Sequence, residues 1–177
     1  MPKKYVVISA SLREGSLSRV LAKQAFDILQ ESKEEVTFLD LSDFEIPSCD
    51  GGNCFSHPVT QSLKEALLNV DGYLVSVPVY NYSVSSTFKN LIEITGRDVW
   101  TDKVVGFLAV AGGQGSYMSL ANIMSSLMLD FRTFILPRFV YSTGEDFEGM
   151  AIKNVDVESR LNDICREMIR VTSALAP

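Results

Sequence analysis

Residues 5–29, YVVISASLREGSLSRVLAKQAFDIL, change period twice within twenty-five positions. The opening YVVI is a continuous apolar run, the signature of a strand buried on both faces, and the strand is read as Lys4–Ser9. From Leu17 onward the apolar residues fall at Leu17, Val20, Leu21, Ala25, Ile28 and Leu29, which is one face of an amphipathic helix. Between the two lies a polar loop, SASLREGS, containing several serines, an arginine and a glycine. Strand, short polar loop and helix form the first half of a βαβ unit, so the unit is sought again downstream.

It recurs. Further apolar runs at Val36–Leu41, Gly72–Val77, Val104–Val110 and Thr133–Val140 read as strands. Helical stripes separate or follow them: Leu63, Ala66, Leu67 and Val70; Phe88, Leu91, Ile92 and Thr95; Leu120 to Phe131; and Leu161 to Leu175. Five strands alternating with five helices define an α/β chain with a doubly wound parallel sheet, because parallel neighbours need crossovers and right-handed crossovers cover both faces. With 177 residues, 46% of them hydrophobic, and no shift to linker-like composition, residues 1–177 are expected to form a single domain.

Composition narrows the function. A net charge of −6 argues against general attraction to nucleic acid or an anionic membrane, so any anion must be bound locally. The longest apolar run, Val104–Ala111, is far shorter than the roughly 18 residues needed to span a bilayer. MPKK runs straight into the first strand without a signal-peptide pattern, so a cytoplasmic location is expected. Cys165 lies on the apolar stripe of the last helix and reads as core. Cys49 and Cys54 bracket DGGN without a second pair or a histidine cluster, so no metal site is expected. The single histidine, His57, precedes a short helix and reads as a surface or capping residue.

Open parallel sheets bind ligands beyond the carboxyl ends of their strands, where strand order reverses. The loops after strands one, three and four read ASLREGSLS, PVYNYSVSS and AGGQGSY. Small polar residues in such loops ordinarily serve turns and helix caps, but three enriched loops together point to a ligand. The first has Ser11, Ser16 and Ser18 hydroxyls, an Arg13 fork and a helix N-terminus, with Leu17 at the first helical position: a site for a phosphate ester. It matches neither the G-x-G-x-x-G dinucleotide pattern nor the P-loop. In the second, Pro78 ends the strand, and Val79, Tyr80, Asn81, Tyr82 and Ser83 can flank a flat ring. In the third, Gly112, Gly113 and Gln114 let a ring edge approach the main chain. Phosphate at one loop and a planar heterocycle at two others describe a mononucleotide, with flavin mononucleotide (FMN) suiting this topology best.

The same segments carry a resemblance. SLREGSLSR resembles the G-S-x-R-x-x-S-x-N-R phosphate loop of the NADPH-dependent FMN reductase family, and PVYNYSVSSTFKNLIE resembles its P-E-Y-N-x-S-x-P-G-x-L-K-N-x-I-D segment. Ala10, Ser18, Val79 and the pair Ser85 and Ser86 depart from those patterns. The resemblance implies a flavodoxin-like, three-layer α/β/α fold with strand order 2-1-3-4-5, bound FMN, and oxidation of NADPH or NADH with transfer to a flavin, quinone or azo acceptor. It also implies a homodimer or homotetramer, for which Ile123 and Leu129 offer apolar surface beyond the helix's sheet-facing stripe. Ser11, Arg13, Ser16 and Ser18 would hold phosphate; Pro78, Tyr80 and Asn81 would line the ring; Gly112 and Gly113 would meet its pyrimidine edge. The flavin carries the chemistry, so no catalytic side chain is expected. A nucleophile elbow and a receiver-type acceptor aspartate are both absent; the remaining alternative is a non-catalytic FMN-binding electron carrier or redox sensor.

Overall fold

A computed structural model of the chain describes residues 2–175. The central strands are the continuous apolar runs: β1 (Lys4–Ser9), with five of its six residues buried, and the strand Gly72–Tyr80, β3, with seven of nine buried. Glu35–Asp40 forms β2, whose burial alternates over its first four residues as an edge strand's should. Ser83–Val84, β4, folds back antiparallel on the end of β3, and Val104–Ala111 is β5. β1 pairs in parallel with β2 on one side and β3 on the other, and β3 pairs in parallel with β5. The expected order is therefore present across β2-β1-β3-β5.

The fifth strand differs from expectation. Thr133–Val140 does not run as one strand; it breaks into β6 (Phe134–Ile135), beside Val104 and Val105, and β7 (Val140–Thr143), beside Leu108 to Ala111. Pro137 lies at the break and has no N–H for a ladder. Beyond it, β8 (Phe147–Glu148) and β9 (Ala151–Ile152) make a small hairpin that the sequence pattern did not show.

Helices cover both faces. On one lie α1 (Leu17–Gln30) and α6 (Val155–Ala174), whose Leu21, Ala25, Leu161, Ile164 and Met168 pack on Tyr5, Val7 and Leu74. On the other lie α2 (Pro58–Leu67), α3 (Ser86–Thr95), the single turn α4 (Arg97–Trp100) and α5 (Ala121–Phe131). There Leu63, Phe88, Leu91, Trp100 and Leu127 meet Ile8, Val75 and Phe107. Ile123, expected on a free surface, is 6% exposed and belongs to this core, whereas Leu129 is 85% exposed. Cys165 is buried, its thiol pushed up to about 12 by that burial. Among the described residues no helix is long and apolar enough to cross a membrane.

Candidate functional site

β1 leads outward to β2 on one side, while β3 leads outward to β5 on the other, so strand order reverses between β1 and β3. Above that gap the loop Ala10–Ser16 turns into α1. Gly15, at φ +64°, makes the turn that an L side chain would resist. Ser16 is the N-cap residue but contributes no side-chain cap. The amides of Leu17 and Ser18 therefore remain among the helix's orphan donors, and no acidic residue lies in the first turn.

Three serines of this loop and first turn, Ser11, Ser16 and Ser18, are buried. The Ser16 and Ser18 hydroxyls are 2.8 Å apart, so only one of their two hydrogens is used between them. Ser11 Oγ accepts from the Arg13 N–H at 3.3 Å. The Arg13 side chain is exposed, and its guanidinium enters none of the ion pairs among the described residues. Leu17 is half-buried at the first helical position. The loop and the positive end of the helix thus carry hydroxyls, free amides and an uncommitted cation, the donor types that an anion takes.

The loop's shape depends on a residue to which no role was assigned from sequence. The guanidinium of Arg19 pairs with Asp40 at the end of β2 and donates to the carbonyl oxygens of Ser11 at 2.9 Å and Arg13 at 3.0 Å. Burial pushes the Asp40 carboxyl up, but the Arg19 guanidinium and the Ser42 N–H and hydroxyl outweigh it and hold the group below its ordinary value. Arg19 stands at the closing arginine of the phosphate-loop pattern, which was the available signal. Its partner, twenty-one residues on, was not visible in any local pattern.

At the second loop the structure corrects one expectation: Pro78 does not end the strand. It is buried within β3, opposite Val110. The reason is geometric. Ser76 O accepts from the Ala10 N–H, so residue 76, and residue 78 with the same orientation, turn their polar groups toward β1. β1 has finished by that level, so Pro78 deprives no neighbour of a donor.

Val79 and Tyr80 then pair with Val84 and Ser83 in a hairpin whose two turn residues, Asn81 and Tyr82, have φ of +48° and +61°. Positive φ at both positions defines the tight turn that suits hairpin twist, and asparagine accepts it readily. Tyrosine does not. Tyr80 and Tyr82 are each about half exposed, and Ser83 is exposed. Replacing Tyr82 by glycine should relieve this left-handed strain and raise folding stability by up to about 1 kcal/mol in chemical denaturation. A loss of stability would show that the ring itself holds the hairpin.

Ser85, where the family pattern has proline, is buried and donates from Oγ to the Ala10 carbonyl at 3.0 Å, tying this segment to the first loop. The Ser76 hydroxyl likewise donates to Ser18 O at 2.6 Å.

The third loop follows β5. Gly112 and Gly113 are exposed; neither has positive φ, and a Cβ at either would meet no protein atom within 4 Å. Nothing inside the chain requires glycine at either position. Gln114, also exposed, begins a 3₁₀ segment to Leu120. The Tyr141 hydroxyl on β7 donates to Gly113 O, and Ser119 Oγ is buried without a partner among the described residues.

Other candidate groups lie apart from these loops. His57 caps α2, its Nδ1 accepting from the Val59 N–H. The Cys49 and Cys54 sulfurs are 4.0 Å apart in a loop whose Asp50 carboxylate accepts from the Gly52 and Cys54 amides. Among the described residues no three His, Cys, Asp or Glu side chains gather as a metal site would need.

An open parallel sheet with an uncapped helix start at its switch point, flanked by an exposed aromatic hairpin and a glycine loop, has flavodoxin-like architecture. Residues 3–148 match the family model of the NADPH-dependent FMN reductases. An NAD(P)H-dependent FAD/FMN reductase of Geobacillus thermodenitrificans is 27% identical over 175 residues, covering 95% of this chain and 92% of that protein. An NADPH:quinone oxidoreductase of Arabidopsis thaliana is 27% identical over 166 residues, covering 88% and 85%. The fold resembles that of an NADH:FMN oxidoreductase in its apo form, with a TM-score of 0.79 at 19% identity, covering 98% of this chain and 90% of that one. The chain belongs to the NADPH-dependent FMN reductase family. It is an oxidoreductase that uses FMN with NAD(P)H as electron donor.

Proposed function

We propose that residues 1–177 act as one FMN-binding domain that takes hydride from NAD(P)H and passes electrons to a small flavin, quinone or azo acceptor. The observation that carries this reading is the uncapped start of α1, whose free Leu17 and Ser18 amides follow a loop that holds the buried Ser11 and Ser16 and the exposed Arg13, with the Ser16 and Ser18 hydroxyls 2.8 Å apart. These groups fit a phosphate monoester: all are donors, and no carboxylate lies in the first helical turn.

In this reading Pro78, Val79, Tyr80, Asn81, Tyr82 and Ser83 line the isoalloxazine, and Gly112, Gly113 and Gln114 border its pyrimidine edge. The open space over Gly112 and Gly113 supports that assignment. Bound FMN supplies hydride acceptance and electron transfer. The chain's own residues anchor the phosphate and fix the ring's position, and the exposed hairpin leaves a face open to small reactants. No side-chain acid or base is invoked, and His57 serves only as a helix cap.

The acceptor class rests on the relatives, an FAD/FMN reductase and a quinone oxidoreductase, together with the exposed setting of the three loops. Three free cysteines fit a reducing compartment such as the cytoplasm. No nucleic acid or membrane partner is proposed, in keeping with the net charge of −6. A homodimer or homotetramer is proposed on the exposed Leu129 and Met128 of α5, an apolar pair that an interface would cover. The direct test of the site is affinity for FMN against riboflavin, read by fluorescence quenching. FMN should bind far more tightly, and equal affinity would remove the first loop from the site.

A further inference from the structure

Two thiols stand together in the segment joining β2 to α2, which has no part in the proposed function. The Cys49 and Cys54 sulfurs are 4.0 Å apart, and the S–H of Cys54 donates to the sulfur of Cys49. The two differ in access. Cys49 is half-buried, whereas Cys54 is 3% exposed and belongs to the core with Leu63 and Phe88. An oxidant arriving from solvent therefore meets Cys49 first. Cys165, 1% exposed, offers no competing site.

The chain between the two sulfurs has room to close while its ends are held. On one side the Cys49 N–H donates to Asn90 Oδ1 on α3 at 2.8 Å, and Asn90 Nδ2 donates to Pro47 O at 2.9 Å. On the other, Cys54 lies in the 3₁₀ turn Asn53–Ser56 with its side chain in the core. The residues between, Asp50 to Asn53, are all exposed and include two glycines. Gly51, at φ +72°, has no atom within 4 Å of the place a Cβ would take. A disulfide needs its sulfurs about 2.05 Å apart, so side-chain rotation and this exposed bend must supply the remaining approach.

Asp50 keeps the two sulfurs in distinct roles. Its carboxylate accepts from the Gly52 N–H at 2.9 Å and the Cys54 N–H at 3.0 Å. The Cys54 side chain first, and then these amides, hold that carboxyl down at about 2. Burial first, and then the Asp50 carboxylate, push the Cys54 thiol up. Cys54 thus stays a thiol until its partner has reacted.

We propose that Cys49 and Cys54 are a reversible dithiol and disulfide pair, a site of oxidation by low-molecular-weight disulfides at which Cys49 attacks and Cys54 closes the bond. In the first step the Cys49 thiolate, its proton released to water, attacks one sulfur of glutathione disulfide. The oxidant's S–S bond breaks, a mixed disulfide forms at Cys49, and one glutathione thiolate leaves and takes a proton from water. In the second step the Cys54 sulfur attacks that of Cys49. The mixed S–S bond breaks, the bond from Cys49 to Cys54 forms, and the second glutathione leaves with the Cys54 proton. Two protein thiols are oxidised, and one small disulfide is reduced by two electrons. In a reducing compartment such a bond is transient and reports the state of the thiol pool. Neither step uses flavin or NAD(P)H, so the pair stands or falls apart from the reading of the three loops.

The test treats the full chain, without NAD(P)H, with glutathione disulfide, stops the reaction with acid, and reads intact mass and a peptide map. Wild type should lose two hydrogens, within the peptide that carries both Cys49 and Cys54, and regain them with dithiothreitol. Cys165 should stay free and open to alkylation after unfolding. Cys54→Ala should stop with one glutathione on Cys49, and Cys49→Ala should react at least roughly tenfold more slowly than wild type, as access to the sulfur requires. Circular dichroism checks that the variants fold, and the wild-type mass decides bond closure without them. A wild-type chain that keeps glutathione on Cys49, joins a second chain through it, or retains both thiols while an unfolded sample is oxidised would overturn the proposal. Cys54 reacting in Cys49→Ala as fast as wild type does would overturn the assigned roles.

Discussion

Replacing Arg19 by alanine is expected to cost about 3 kcal/mol of folding stability, the low end of the range for removing one partner of a buried ion pair, and to weaken FMN binding well beyond the loss of a single contact. The side chains of Arg19 and Asp40 are 16% and 10% exposed, so the remaining carboxylate would be left largely without solvent. The same guanidinium holds the carbonyls of Ser11 and Arg13, so its removal frees the loop that carries the proposed phosphate donors. Arg19→Lys keeps the charge but not the fork, and should recover only part of the loss. Because Asp40 is held below its ordinary value, its contribution is fully present above the unfolded aspartate value, roughly 3.9. It is lost as pH falls through the lower folded value. Denaturation curves should therefore show the wild-type advantage over Asp40→Asn shrinking only under strongly acidic conditions. An advantage constant down to that range would mean that the pair does not stabilise the fold.

Arg13→Ala tests the proposed anion site without touching the fold, because the side chain is exposed. FMN affinity should fall by about 1.5 to 3 kcal/mol, the contribution expected of a hydrogen bond to a charged group, or roughly tenfold to a hundredfold and more. Riboflavin affinity should stay nearly unchanged, since no phosphate is present to lose the contact. Equal losses for both ligands would mean that Arg13 shapes the ring pocket instead.

The central sheet was legible because continuous apolar runs have few other uses in a chain this short: β1 was read to the residue, and β5 to one residue at its end. Boundaries slipped where backbone context overrides composition. Pro78 looked like a terminator, yet it sits where β1 has already ended and no donor is needed. Thr133–Val140 was read as one strand across Pro137, yet it divides there. The hairpin turn at Asn81 and Tyr82 was not read, and the positive φ of Tyr82 had no sequence signal, since an aromatic residue is a poor occupant of that conformation.

The proposed phosphate loop was readable as serines beside a helix start. The Arg19–Asp40 strut was not, because it joins residues that only the tertiary fold brings together. Ile123 was misassigned for a related reason: helical periodicity alone does not separate a second buried face from an exposed one, and only neighbouring α-helices decide it.

The central claim, that this chain positions FMN for hydride transfer from NAD(P)H, is tested most directly by anaerobic stopped-flow mixing of the FMN-loaded protein with NADPH and no other protein present. The account predicts rapid loss of the oxidised flavin's visible absorbance in a single turnover, recovered on adding a quinone. Flavin that stays bound and oxidised under NADPH and NADH alike, but is reduced by a partner protein, would contradict it and identify an electron carrier.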